Sequence, residues 1–300
     1  MLPVLPVVAG GVLNILEAIL LGIIQGITEF LPISSTGHLT VAGKLMNLIS
    51  SEHPERWTAF IAVIQLGTLL SIVIYFWKEI WEISSDFIKE NIIMPGLFKR
   101  KLNITGQSQN SKTGWLILTG TIPVVVIGIL FKDIIEGSLT KNLFVISGSL
   151  IGLAIILAVA EKTAKFKKGL KDITVKDSLI IGIAQAFALI PGSSRSGTTI
   201  TGGLFLGLNR EAAARFSFLL SIPAILASGL LQLYEAMQFI DSSMAVNLVV
   251  STVVSGISGY AAIDFLLKYL RKHSTFLFIY YRIALGLLII VMLILNIIQP

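Results

Sequence analysis

Apolar residues run through the chain in stretches too long for a soluble core, and polar side chains interrupt them at two places. Uninterrupted apolar stretches occupy 57–76, 115–131, 143–160, 214–233, 245–267 and 276–298. Each has the length of about 17–25 residues that a helix needs to cross a hydrocarbon layer. Two further apolar stretches, 10–48 and 178–208, are broken in the middle. The first contains Glu29-Phe-Leu-Pro-Ile-Ser-Ser-Thr-Gly-His38, and the second contains Pro191-Gly-Ser-Ser-Arg-Ser-Gly-Thr-Thr199. Carboxylate, imidazole, guanidinium and hydroxyl groups at membrane depth are costly unless they face protein or a wet cavity, so both interruptions read as parts of a functional site.

Composition agrees with this pattern. Of 300 residues, 54% are hydrophobic and 13% charged, and the mean hydropathy is +0.86, which excludes an ordinary soluble domain. There is no cysteine, so disulfides, thiolate catalysis and cysteine metal sites are excluded. The start, Met1-Leu-Pro-Val-Leu-Pro-Val-Val-Ala-Gly10, lacks the basic segment of a cleaved signal peptide and is read as mature. The net charge of +6 is spread over loops, which argues against nucleic acid as a partner.

Those loop charges orient the spans. The 77–114 loop carries Lys78, Lys89, Lys99, Arg100, Lys101 and Lys112; 161–177 carries Lys162, Lys165, Lys167, Lys168, Lys171 and Lys176; Lys268, Arg271 and Lys272 follow the fifth span. These three loops are expected in the cytoplasm, with amphipathic pieces of 77–114 lying on the membrane surface. The 234–244 connection, with Glu235 and Asp241 and no cation, and the mixed 132–142 connection belong outside. Following the spans through, the first broken segment begins and ends outside and the second begins and ends inside, so each is expected to be a re-entrant helical hairpin.

An internal repeat supports the reading. Gly22-Ile-Ile-Gln-Gly26 matches Gly182-Ile-Ala-Gln-Ala186, and after a one-residue gap Pro32, Ser34, Ser35, Thr40, Gly43 and Leu45 match Pro191, Ser193, Ser194, Thr199, Gly202 and Leu204, with Phe60 and Phe216 continuing the series. This alignment sets Arg195 against Thr36 and Ala188 near Glu29. The expected fold is an all-α polytopic membrane protein, one membrane domain over 1–300. It consists of two inverted-topology repeats, 10–160 and 178–298, each a re-entrant hairpin plus three transmembrane helices. Broken helices in such folds meet near the midplane, so the two polar stretches are expected to face each other.

Together they would supply chemistry suited to phosphoryl transfer. Arg195 offers a permanent charge and a planar fork of donors for phosphate oxygens, among Ser193, Ser194, Ser196, Thr198 and Thr199. A helix restarting after Pro191-Gly192 would add its N-terminal N–H groups. Gln25 and Glu29 share one helix face at i, i+4 spacing, and Glu29 is a candidate general base or cation ligand. Ser34 and Ser35 are candidate nucleophiles. His38 is a candidate to activate one of them or to protonate a leaving oxygen. Elsewhere blander readings prevail. Gly22xxxGly26 and Gly182xxxAla186 read as close-packing faces. Glu17 and Asp264 read as solvated span ends, Arg282 with Tyr280 and Tyr281 as a membrane-interface anchor, and Thr36, Thr40, Thr198 and Thr201 equally as backbone-bonding threonines.

The stretches from Gln25 to His38 and from Pro191 to Thr199 resemble the two signature motifs of the bacterial undecaprenyl-diphosphate phosphatase family of the bacitracin-resistance type, and the resemblance spans nearly the whole chain, including Ile64-Gln-Leu-Gly67 and Phe216-Ser-Phe-Leu-Leu220. It implies hydrolysis of undecaprenyl diphosphate to the monophosphate and phosphate, recycling the lipid carrier of wall synthesis, in a multi-pass protein of the bacterial plasma membrane with its site open to the outer face. It also implies Glu29, Ser35, His38 and Arg195 as the catalytic core, with Gln25, Ser34, Ser194, Ser196 and Thr199 lining the phosphate site. A divalent cation, Mg2+ or Ca2+, is expected with Glu29 as ligand. The family permits Glu or Gln at its leading position; Gln25 here puts any two-carboxylate metal scheme in doubt. The expected partners are a prenyl diphosphate lipid and membrane lipids, and a homodimer is compatible with the sequence. The alternative is a transporter or flippase of a phosphorylated prenyl lipid, as a sole or second function.

Overall fold

The computed structural model of the chain describes residues 13–49, 54–93, 106–136, 142–237 and 242–299. Those residues form helices α1 (Ile15–Phe30), α2 (Ser35–Leu45), α3 (Pro54–Tyr75), α4 (Trp77–Ile88), α5 (Gln109–Leu130), α6 (Lys132–Glu136), α7 (Leu143–Thr163), α8 (Val175–Ala186), α9 (Arg195–Phe205), α10 (Arg210–Ala236), α11 (Ser242–Leu270) and α12 (Phe276–Ile294). No β-strand occurs among the described residues, where Lys168 and Leu208 make an isolated bridge. Among the described residues six helices are long and apolar enough to cross a membrane: Trp57–Tyr75 of α3, α5, α7, Arg210–Glu235 of α10, Ala245–Leu270 of α11, and α12.

All six expected spans are therefore present, with edges moved by local chemistry. Helix α5 starts at Gln109 rather than 115 because Ser108 caps it, its Oγ accepting from Ser111 N at 3.2 Å. Helix α12 stops at Ile294 rather than 298, where Asn296 turns into the left-handed region at φ 54°. Asn14 and Glu17 form a reciprocal capping box at the start of α1, so Glu17 has a structural task beyond solvation. Thr174 and Asp177 do the same for α8. Within the loop expected on the membrane surface, α4 exposes Trp77 and Trp81 and buries Ile83; residues 94–105 of that loop lie outside the described residues.

Small residues set how closely the helices meet. A Cβ built on Gly26 of α1 would lie 2.5 Å from Ser255 O and 2.7 Å from Gly259 N of α11, and one on Gly182 of α8 would lie 2.2 Å from Gly120 O of α5. Hydroxyls of α11 fasten the same faces, Ser251 Oγ donating to Ala18 O at 2.7 Å and Ser255 Oγ to Ile64 O at 2.6 Å. This is small-residue packing with hydroxyl bonds across helices. Gly26→Leu is expected to destabilise the protein by about 3 kcal/mol or more by overpacking, read as a lowered unfolding temperature in detergent; an unchanged value contradicts the packing argument.

The break between α1 and α2 follows from Pro32. Leu31 before it is held extended at φ −66°, ψ 139°, which ends α1. Helix α8 ends in a 3-10 turn, Phe187–Leu189, ahead of Pro191. The chain then restarts as α2 and α9, both 11 residues long.

Candidate functional site

The two restarts share one local geometry. Ser34 caps α2 at φ 76°, ψ 99°, and Ser194 caps α9 at φ 68°, ψ 110°. Each hydroxyl accepts from the glycine three residues on, Gly37 N and Gly197 N, both at 3.2 Å. A positive φ at serine costs of the order of 1–3 kcal/mol and persists where surroundings dictate it. Ser34 and Ser194 are therefore structural counterparts, as are the first helical residues Ser35 and Arg195. This corrects the sequence alignment, which set Ser193 against Ser34 and Arg195 against Thr36: each cap follows its glutamine, Gln25 or Gln185, by nine residues, so the two halves pair without a gap.

Arg282 accounts for much of that dictation. Read from sequence as an interface anchor, it is instead fully buried. Its guanidinium donates to Ser193 O at 2.9 Å, Leu150 O at 3.2 Å, Gly192 O at 3.4 Å and Pro32 O at 3.5 Å. The carbonyls of both breaks point at one cation, which satisfies groups that broken helices leave open. A Cβ on Gly197 would lie 2.6 Å from Arg282 Nη1, so a glycine is needed there for the arginine to pass. The apolar context of Leu277–Ile294 masked this role in the sequence, and only the oddity of arginine inside such a run signalled it.

Glu29 stands where the breaks meet. It is 4% exposed. Its Oε2 accepts from Ser35 Oγ at 2.7 Å and from Gln25 Nε2 at 3.0 Å. Its Oε1 accepts from Arg195 Nη2 at 2.8 Å and from Gln65 Nε2 at 2.7 Å. The first residues of α2 and α9 thus both donate to one carboxylate at the end of α1. Gln65, on α3, was quoted in the sequence only as part of a family resemblance, and its contact with Glu29 joins residues 36 apart in the chain.

The other expected site residues are placed differently. His38 does not reach Ser35 or Glu29 by hydrogen bond. Its Nδ1 lies 2.7 Å from Ser34 O, which accepts, so Nδ1 carries the proton and Nε2 accepts from Tyr281 OH at 2.7 Å. The two rings stack with centroids 5.6 Å apart. Ser196 Oγ donates to Leu31 O at 3.1 Å, tying α9 to the first break, and Thr199 Oγ1 bonds Arg195 O at 2.7 Å and Ser217 Oγ at 2.6 Å. Thr198 and Thr201 bond the backbone of their own helix. Ser34 and Ser194 serve as caps.

A cavity of about 580 Å3 opens over Glu29, Ser34, Ser35, Ser194 and Arg195. Its walls are apolar, with Val124, Val125 and Ile129 of α5 facing Ala224, Ile225 and Leu231 of α10, and Lys132 and Gln232 stand on its lining toward the ends of those helices. A polar floor under apolar walls suits an amphiphile with a compact anionic head. Among the described residues no three His, Cys, Asp or Glu side chains cluster for a metal. Among the described residues Glu29 is the lone carboxylate on the cavity lining, and donors occupy both its oxygens, so those residues offer no cage for a bare cation. Gln25, which donates to Glu29 through Nε2, keeps its Oε1 buried without a partner.

Comparisons with known proteins cover the same span. The family described as bacitracin resistance protein BacA matches residues 18–288. The chain is 54% identical over 274 residues to the undecaprenyl-diphosphatase of Syntrophobacter fumaroxidans, covering 91% of this chain and 95% of that protein. It is 51% identical over 290 residues to the undecaprenyl-diphosphatase of Chloroherpeton thalassium, covering 94% and 97%. A match across nearly the full length, at about half the positions, shows that the chain belongs to the bacitracin resistance protein BacA family.

Proposed function

We propose that the chain hydrolyses undecaprenyl diphosphate to undecaprenyl phosphate and orthophosphate. The observation that carries this is Glu29, one buried carboxylate that holds both Ser35 Oγ and Arg195 Nη2 on the polar floor of an apolar cavity. Relatives of matching length that are named for this activity support it. In the scheme, Ser35 Oγ attacks the terminal phosphorus while its proton passes to Glu29 Oε2. The bond from phosphorus to the bridging oxygen breaks, and undecaprenyl phosphate leaves with that oxygen. Arg195 turns from Glu29 to the non-bridging oxygens and, with the N–H groups opening α9, balances their charge. Glu29 releases that proton to solvent; water then gives Glu29 a proton as it attacks the phosphoserine, the Oγ–P bond breaks, Glu29 returns the proton to Ser35 Oγ, and orthophosphate departs. His38, one turn along α2, is assigned the leaving-group proton, which requires its contact with Tyr281 to open and Nε2 to take up a proton from solvent first.

A divalent cation bound with the substrate would be held on the protein side by Glu29, the carboxylate on the cavity lining. Its chemistry would be to offset phosphate charge, while Gln25, which is buried behind Glu29 and not on the cavity lining, would orient that carboxylate.

The proposed architecture is two inverted repeats, each with a re-entrant hairpin, α1–α2 and α8–α9. Helix pairing supports it: α1 packs on α11 as α8 packs on α5, α3 packs on α11 as α10 packs on α5, and two further pairs, α3–α10 and α7–α12, join equivalent helices, whereas α9 packs on α7 and α10 more extensively than α2 does on their counterparts. The site is proposed to face outward from a bacterial plasma membrane, where it would return the carrier lipid to wall synthesis. The cavity lining runs to Lys132, Ile135 and Gln232, next to the connections that lack the clustered cations of the other loops. Both halves of the site come from one chain, so one copy suffices for catalysis even in a homodimer. The second reading, transport of a phosphorylated prenyl lipid, draws support from the paired broken helices.

Purified protein in detergent micelles, where transport has no meaning, separates the two. Orthophosphate release from undecaprenyl diphosphate supports hydrolysis, and its absence rejects it. With the terminal phosphate labelled, rapid acid quenching is expected to trap label on the parent and none on Ser35→Ala; equal labelling of both would place the covalent step elsewhere, and no label on either would favour direct attack by water.

A further inference from the structure

Most hydroxyls of the second break are used up by the fold, as the partners of Ser194, Ser196 and Thr199 show. Gln185 is different. It sits in the last turn of α8, is 1% exposed and lines the same cavity as Glu29, Ser35 and Arg195, yet neither its Nε2 nor its Oε1 has a hydrogen-bond partner. Gln25, at the equivalent place in α1, donates to Glu29 four residues on. Four residues on from Gln185 stands Leu189, so the second glutamine has no carboxylate to hold. Ser193 Oγ and Arg195 Nε, also on the cavity lining, are likewise buried and unpartnered. Native interiors rarely leave one such group unsatisfied. Thr40 Oγ1 and Trp57 Nε1 are unpartnered on the same lining, but Gln185, Ser193 and Arg195 all belong to the second break or the turn before it, and together they point to a ligand that completes them.

We propose that Gln185, with Ser193 Oγ and Arg195 Nε, forms the receptor for the phosphate group that leaves as orthophosphate. The identity of the anion rests on the phosphatase reading; the receptor itself rests on the unpartnered groups. Gln185 Nε2 donates to a non-bridging oxygen and its Oε1 accepts from the P–OH of hydrogen phosphate. An amide presenting one donor and one acceptor suits an anion that carries a proton. Sulfate, which is fully ionised at neutral pH, has no proton for Oε1 and is held less well. Gln185 makes and breaks no covalent bond; it binds.

The test uses the full chain in detergent, with inorganic phosphate or sulfate as the probe and thermal unfolding as the readout, so turnover is not needed. Phosphate is expected to raise the unfolding temperature of the parent more than sulfate does. Gln185→Leu has similar bulk without donor or acceptor. Its unfolding temperature without ligand is expected to equal or exceed the parent's, because an unpartnered buried amide has been removed. It is expected to bind phosphate about 10-fold or more weakly and to lose the preference over sulfate. Ser193→Ala provides a second variant, equally stable and weakened to a smaller degree. Phosphate binding by Gln185→Leu equal to that of the parent, or a parent that phosphate does not stabilise, overturns the proposal. Phosphate binding that depends on Gln185 in a protein releasing no phosphate from prenyl diphosphate upholds the receptor and overturns the phosphatase reading alone.

Discussion

Replacing Arg195 with alanine is expected to lower phosphate release from undecaprenyl diphosphate by about 10^3-fold or more, the range seen when a cationic side chain that stabilises transferred phosphoryl charge is removed. Among the described residues the guanidinium is the sole cation in contact with Glu29, at 2.8 Å, and its Nη1 reaches Ser217 O at a loose 3.4 Å while Nε is unpartnered. Only one of its donors is thus firmly committed, which leaves the fork able to turn to a phosphate. Folding is expected to survive the change, because Glu29 keeps Gln25, Gln65 and Ser35 as donors. Arg195→Lys retains charge without the planar fork and is expected to fall between parent and alanine. Turnover within a few-fold of the parent in Arg195→Ala, measured in micelles, would remove the residue from the scheme.

Arg282→Met is expected to damage stability and activity together. Removing the guanidinium leaves the carbonyls of Pro32, Leu150, Gly192 and Ser193 without this donor in a buried setting. Hydrogen bonds from a charged group are worth about 1.5–3 kcal/mol each when well formed, so a loss of about 3 kcal/mol or more follows from the two shorter contacts. Activity falls as well, because Ser34 and Ser194 hold positive φ only while the breaks are braced, and Ser35 and Arg195 take their aim from those caps. Arg282→Lys, a point charge that reaches fewer carbonyls, is expected to recover part of both. Unfolding temperature and phosphate release measured side by side test this: a variant as stable as the parent would mean that the carbonyls find other donors and that Arg282 braces nothing.

The sequence made some of this legible because each signal was local. Hydropathy marked the six spans, Pro32 and Pro191 marked the breaks, and the glycine spacing in α1 and α8 marked the close faces, all properties of a few neighbouring residues. Glu29, Ser35 and Arg195 stood out because polar groups inside apolar runs are costly. What was hidden depended on tertiary placement. Gln65 and Gln185 are single amides in apolar helices, and the contact of one with Glu29 and the isolation of the other appear only once the helices pack. Arg282 looked like a span-end cation because no sequence rule says which carbonyls will be left open by helices more than 80 residues away. The Thr36–Arg195 pairing came from placing the gap by residue identity, whereas the caps at Ser34 and Ser194 set the register by backbone geometry.

That register carries the central claim. In the proposed scheme Glu29, which takes the Ser35 proton, and Arg195, the counterpart of Ser35 in the second half of the chain, act as a single unit, with chemistry on the first half and charge balance on the second. A double-mutant cycle measures this directly, by phosphate release from undecaprenyl diphosphate in micelles for the parent, Glu29→Gln, Arg195→Lys and the combined variant. Residues that work as a unit are strongly non-additive. The combined variant is expected to be impaired within about 10-fold of the worse single variant, whereas a loss equal to the product of the two single losses would show Glu29 and Arg195 acting independently and contradict the composite site.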